Sequence, residues 1–212
     1  MKYSLLQHKK LAKTALLFGL AAAIILQTTL LAQQCHGVRD NVLRLHVLAN
    51  SDSPADQQLK LTVRDALLNQ GGALLARAKN KEEAIALAKQ QLPTLESIAR
   101  ETLRKQGCTL PVSVQVADTY FNTRTYDTVT LPAGTYTALQ VVIGKGAGKN
   151  WWCVMFPNLC LPAAIEDSSI PSLEQTLTKG QVRLVEEGQR MQIKFKTVEL
   201  VQSALQKCKE WR

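Results

Sequence analysis

Three groups of residues in this chain have types and spacings that can do chemistry. The densest runs from Arg44 to Asp65, where His46, Asn50, Asp52, Asp56, Gln57, Lys60 and Arg64 crowd a strand-to-helix corner. A histidine followed by two carboxylates is the raw material of a general base and the acid that orients it. A hydrolase using His46 with Asp52 or Asp56 is therefore one reading. No Ser or Cys nucleophile is visibly placed beside them, which counts against it. The plainer reading is a turn that satisfies itself, with Asn and Asp capping the helix and Asp56 pairing with Lys60 at i,i+4. The second group, Gly144-Lys-Gly-Ala-Gly-Lys149, resembles a phosphate loop only in composition. The Gly-x-x-x-x-Gly-Lys spacing would need glycine at Ile143, and neither Ser nor Thr follows Lys149, so a flexible hairpin tip is expected. The third is Asn150-Trp151-Trp152-Cys153, followed by Cys160. Cys153 and Cys160 are the natural disulfide pair, closing a short loop. An exposed tryptophan beside such a loop would make a binding anchor, whereas two buried ones would be core.

The elements that must position these groups follow from periodicity. Leu43, Leu45 and Val47 alternate with Arg44 and His46, predicting a half-buried strand. Ser53 is a good N-cap, Pro54 suits the first helical position, and a helix with Leu59, Val63, Ala66 and Leu67 on one stripe should end at Gly71-Gly72. Ala73 to Lys79 reads as a loose connector. Asn80 with Glu83 opens a long helical region that Pro93 should kink or divide and Gly107 should end. Strands are expected from Val112, across Phe121–Tyr126, and from Tyr136 to a central, apolar Ile143, with a turn at Leu131-Pro-Ala-Gly134. The stretch from Ala163 to Gly180 reads as a polar connector. A hairpin, Val182–Glu186 with Gln189–Thr197, and a helix from Val198 should close the chain. The pattern is α+β: a mixed or mainly antiparallel sheet with helices packed on one face.

Composition sets the compartment. Lys2, Lys9, Lys10 and Lys13 precede an apolar run, Thr14 to Ala32, and no acid occurs before Asp40. A basic flank before such a run is an export signal, and at this length it also suffices to span a bilayer. Residues 1–32 are thus expected to be a signal peptide or membrane anchor, and residues 40–212 an exported domain. That leader carries four of the formal +9 charges. The remaining excess allows contact with an anionic membrane surface, but no basic cluster interleaved with aromatics points to nucleic acid. No metal site is expected, because the exported part has one well-embedded histidine, His46, and no second close cysteine pair. Cys108 and Cys208 are expected to be unpaired. No cofactor is implied.

Three stretches together resemble the stage II sporulation protein R family. They are Arg44-x-His46-Val-x-Ala49-Asn50-Ser51-Asp52-Ser53-x-x-Asp56-Gln57-x-x-Lys60-x-x-Val63-Arg64-Asp65, Leu131-Pro132-Ala133-Gly134-x-Tyr136-x-Ala138-Leu139, and Gly148-x-Asn150-Trp151-Trp152-Cys153-Val154-x-Phe156-Pro157-x-Leu159-Cys160. Asn122 and Asn158 stand where the family pattern has Pro, and Asp127 where it has Gly. The resemblance implies a protein exported from the forespore into the space between forespore and mother cell. There it would activate a membrane-embedded aspartic protease that processes pro-sigma-E, acting as a ligand and not as a catalyst. On that reading Arg44, His46, Asn50, Asp52, Asp56, Gln57, Lys60, Arg64, Trp151 and Trp152 are the expected partner-binding residues. The competing enzyme reading is an envelope hydrolase built on His46.

Overall fold

The apolar N-terminal run forms a helix, α1, Lys2–Asp40. In the computed structural model, which describes residues 2–75, 77–126, 129–157, 159 and 172–189, it exposes Leu16, Leu17, Phe18, Ile24, Ile25 and Leu26. Over Lys13–Asp40 it is long and apolar enough to cross a membrane, which fits a signal sequence or an anchor. Met1–His36 is one compact unit and Gly37–Arg212 a second.

The second unit begins with β1, Leu43–Leu48, and α2, Pro54–Ala66. Ser53 caps α2 as its type predicts, its hydroxyl accepting from the Asp56 N–H at 3.2 Å. The glycine pair does not stop this helix. The coil widens into a π turn, Leu67–Gly71, and continues as α3, Gly72–Leu75. Gly71 is there for contact: a Cβ would stand 2.7 Å from Leu95 Cδ2. Asn80 caps α4, Lys81–Gln90, accepting from the Glu83 N–H at 2.8 Å. Pro93 then divides the helical region by sitting in the first turn of α5, Leu92–Lys105, where a missing N–H costs nothing. Gly107, at φ +70, turns the chain out of α5.

Five strands follow among the described residues: β2 (Val112–Phe121), β3 (Arg124–Tyr126), β4 (Val129–Leu131), β5 (Gly134–Ile143) and β6 (Asn150–Phe156). Phe121–Tyr126 is therefore not one strand; Asn122 and Thr123 interrupt it. The main sheet has the order β2-β5-β1-β6, and β3 pairs with β4 in a separate ribbon. β1 runs parallel to β5 and antiparallel to β6, so the sheet is mixed and the fold α+β. Because β1 lies between β5 and β6, Gly144–Lys149 is not a hairpin tip: it arches over the C-terminal end of β1. Near the end of the described chain, α6 (Leu173–Thr176) and α7 (Lys179–Glu186) replace the described end of the expected connector and the first hairpin arm; residues 163–171 of that connector lie outside the described residues. Thr178 and Gln181 form a reciprocal capping box that starts α7, a signal stronger than the short apolar alternation that suggested a strand. Glu187–Gln189 continues as a 3-10 turn. The rest of the second arm and the terminal helix lie outside the described residues.

One sheet face carries the core. Leu43, Leu45 and Val47 of β1, with Leu139 and Val141 of β5, pack against Val63, Leu67, Leu95, Ala99 and Leu103 from the helices. Each such Leu or Val contributes about 1.5–3 kcal/mol on burial. The opposite face is not open to solvent as the alternation suggested. Arg44 is 0% and His46 4% exposed, because aromatic side chains from β2, β5 and β6 and the β3–β4 ribbon cover them.

Candidate partner-binding site

The polar corner is a clamp between two loops. Asn50 donates to Asp56 Oδ2 at 2.9 Å and accepts the Lys145 N–H at 3.0 Å. Ser51 Oγ donates to the same Asp56 oxygen at 2.5 Å, and Gln57 Nε2 donates to the Ser51 carbonyl at 2.8 Å. From the other side, Asp52 accepts the Lys149 N–H at 2.6 Å. Lys60, 5% exposed, donates to Gln57 Oε1 at 2.6 Å and to the Lys149 carbonyl at 3.0 Å. The arch meets this network with glycines that leave no room for a side chain. A Cβ at Gly144 (φ +58) would collide with Asn50, and one at Gly148 with the Ser51 carbonyl. Hydrogen bonds from Ser51, then Asn50, hold the Asp56 carboxyl below its ordinary range, and burial lowers Lys60. The expected Asp56–Lys60 pair does not form; Lys60 takes the arch carbonyl instead.

Behind β1 the character changes. Arg44 sits with its guanidinium carbon 4.0 Å from the Phe121 ring centre and 4.9 Å from that of Tyr136, and it donates to the Tyr126 hydroxyl. His46 meets Phe121 and Trp152 edge-on at 5.6 and 5.8 Å. Burial pushes the imidazole down to about 4; Asn150 opposes the shift and the Arg44 charge reinforces it. Asn150 lacks hydrogen-bond geometry, however, and neither ring nitrogen of His46 has a partner. Arg124 stacks on Trp152 at 4.6 Å, with its own side chain exposed. On the helix side of the sheet, Trp151 is 36% exposed and carries Arg64 at 4.1 Å over its ring.

The predicted residues thus form three groups, not one. Asn50, Asp52, Asp56, Gln57 and Lys60 build the clamp; Arg44, His46 and Trp152 lie on the aromatic face; Arg64 and Trp151 stack at the helix-side edge. The two tryptophans face opposite ways, as neighbours on a strand must. Neither Asp52 nor Asp56 bonds to His46, so the base-and-orienter pair that a hydrolase needs is not assembled. Cys160 lies outside the described residues, and with it the expected disulfide. Cys108 is a free, half-buried thiol. Sequence reasoning missed Phe121, Tyr126, Tyr136 and Arg124, because only the strand register shows that they surround Arg44. Ser51 was legible as a turn residue but not as the donor that fixes Asp56.

A family profile described as stage II sporulation protein R matches residues 39–166. The chain belongs to the stage II sporulation protein R family. It is 41% identical over 123 residues to the Stage II sporulation protein R of Bacillus subtilis (strain 168), a match covering 58% of this chain and 55% of that relative. The chain thus aligns with little more than half the length of that protein. No solved structure matches. The stage II sporulation protein R span takes in the clamp, the aromatic face and the Trp151 edge, and excludes most of α1.

Proposed function

We propose that this chain is an exported signal that switches on a membrane-embedded aspartic protease in the mother-cell membrane, leading to removal of the pro-sequence of sigma-E. The observation that carries the reading is the family match over residues 39–166, which contains all ten predicted contact residues. On this reading α1 directs or tethers the chain at the forespore membrane, and the folded unit lies in the space between the two cells. The chain acts as a ligand and breaks no bond.

The physical requirement is differential binding. Moving a mostly inactive receptor to a mostly active one takes about 3–5 kcal/mol more affinity for the active arrangement. An aspartic protease works when two carboxylates are brought together, so a rigid ligand that favours that juxtaposition suffices. A clamp that pins the 144–149 arch to α2 supplies such rigidity. Next to it at the helix-side edge, the 36% exposed Trp151 lies against Arg64, and an aromatic anchor with an arginine is the composition of an interface hot spot.

The test is reconstitution. The full chain, its receptor protease and the sigma-factor precursor are produced together in a non-sporulating host. Shortening of the precursor only when all three are present supports the reading; unchanged precursor overturns it. An Asp-to-Ala change in the protease's own catalytic pair must abolish the shortening, and persistence would make this chain the hydrolase.

A further inference from the structure

We propose that the aromatic face around Arg44 is a carboxylate receptor, and that its natural ligand is an acidic side chain of the membrane partner; the second half rests on the signalling role above. Arg44 is fully buried yet has no acidic partner among the described residues. Its one hydrogen bond goes to the Tyr126 hydroxyl, and its Nε and Nη1 donors are unspent. On the same face Trp152, which like Arg44 packs on Phe121, has its Nε1 buried without a partner, as is the Oγ1 of Thr123 two residues after Phe121.

The chemistry of these groups selects the ligand. Guanidinium and indole N–H groups only donate, and a threonine hydroxyl can. Unspent donors beside a buried positive charge suit an anion, and the neutral His46 on the same face, its ring nitrogens unpartnered, can add one more N–H. Leaving such a charge unpaired costs far more than pairing it, so the face stores a demand that one incoming negative charge satisfies. A planar, singly charged carboxylate matches a planar guanidinium held between rings. A doubly charged phosphate would bring a second charge into surroundings that are otherwise apolar. Arg124, exposed and stacked on the half-buried Trp152, puts a second positive charge at the surface over this face, which attracts an acid there.

The experiment has a binding arm and a signalling arm. Tryptophan fluorescence of the full chain in detergent is titrated with the capped peptide Ac-Gly-Glu-Gly-NH2 and with its Gln counterpart at matched ionic strength. The Glu peptide is expected to bind about tenfold tighter, the discrimination expected for a charge-assisted hydrogen bond. Arg44→Met, which keeps the stem volume, should abolish the difference without lowering the melting temperature. Should that variant not fold, Trp152→Phe and Arg124→Gln take its place, each reducing the preference severalfold. Equal binding of both peptides to the wild-type chain overturns the receptor, whatever the signalling arm gives. In the reconstituted system, Arg44→Met should shorten about tenfold less precursor, and neutralising one extracytoplasmic Asp or Glu of the protease should reproduce that loss. If no such position exists, the partner's carboxylate is not the ligand. A wild-type chain that discriminates between the peptides yet triggers no processing overturns the signalling role alone.

Discussion

His46 is neutral in the folded chain because Phe121 and Trp152 replace its water and Arg44 repels a second positive charge nearby. Its pKa is about 4 when folded, against an ordinary value near 6.5. Between those two values the unfolded chain binds the extra proton and the folded chain does not. Stability is therefore full above pH 6.5, falls as the pH drops, and has lost this contribution once pH 4 is reached. The size is at most about 3 kcal/mol. Melting temperature measured from pH 7.5 to 4.5 should decline, and His46→Gln should flatten the slope; an unchanged slope refutes the assignment. At the same scale, Asp56→Ala should lower the melting temperature, because Asn50 and Ser51 lose their common acceptor. Trp151→Phe should leave it nearly unchanged, since a ring still lies under Arg64 and at most about 0.5–1 kcal/mol of the stacking is lost. In the reconstituted system the Trp151 variant is expected to shorten less precursor, which separates a contact residue from a structural one.

The clamp belongs to the scale of elements. Gly148→Ala puts a methyl against backbone, the Ser51 carbonyl, which cannot rotate away, and should cost about 2–4 kcal/mol in chemical denaturation. Gly144→Ala forces an L-residue to φ +58 against Asn50 and should cost about 1–3 kcal/mol. Gly71→Ala should cost less, because the obstacle is the movable end of Leu95. Much of this scale was legible from residue types. The Ser53 and Asn80 caps, the Pro93 division and the Gly107 exit are local signals, read within four residues of where they act. What was not legible was pairing. Gly144–Lys149 read as a hairpin because sequence neighbours usually pair; here β1 occupies the place between β5 and β6. The polar alternation of β1 read as a wet face for a related reason: alternation reports two faces, and cannot report that a second layer of rings covers one of them. Val182–Glu186 failed differently, since five residues of mixed polarity fit a strand or a helix, and the Thr178 box decided between them.

For the whole molecule, the boundary near residue 36 makes a simple expectation. A chain beginning at Gln33 should melt with the cooperativity of the full chain but stay in the soluble fraction, whereas the full chain should sediment with membranes. Co-sedimentation of the shortened chain would mean that the folded unit itself holds the bilayer. The α+β class and an N-terminal helix long and apolar enough to cross a membrane were both readable from composition and period. The division of the predicted contact residues among a clamp, a buried face and an exposed edge was not, because it depends on which strands lie side by side.

β1 is the N-terminal strand of the sheet, yet its two neighbours, β5 and β6, come roughly ninety or more residues later. Until those arrive, Leu45 and Val47 have nothing to zip against. The sheet therefore closes only once nearly the whole stretch from β1 to β6 has been made, and its folding waits on the closure of that long loop.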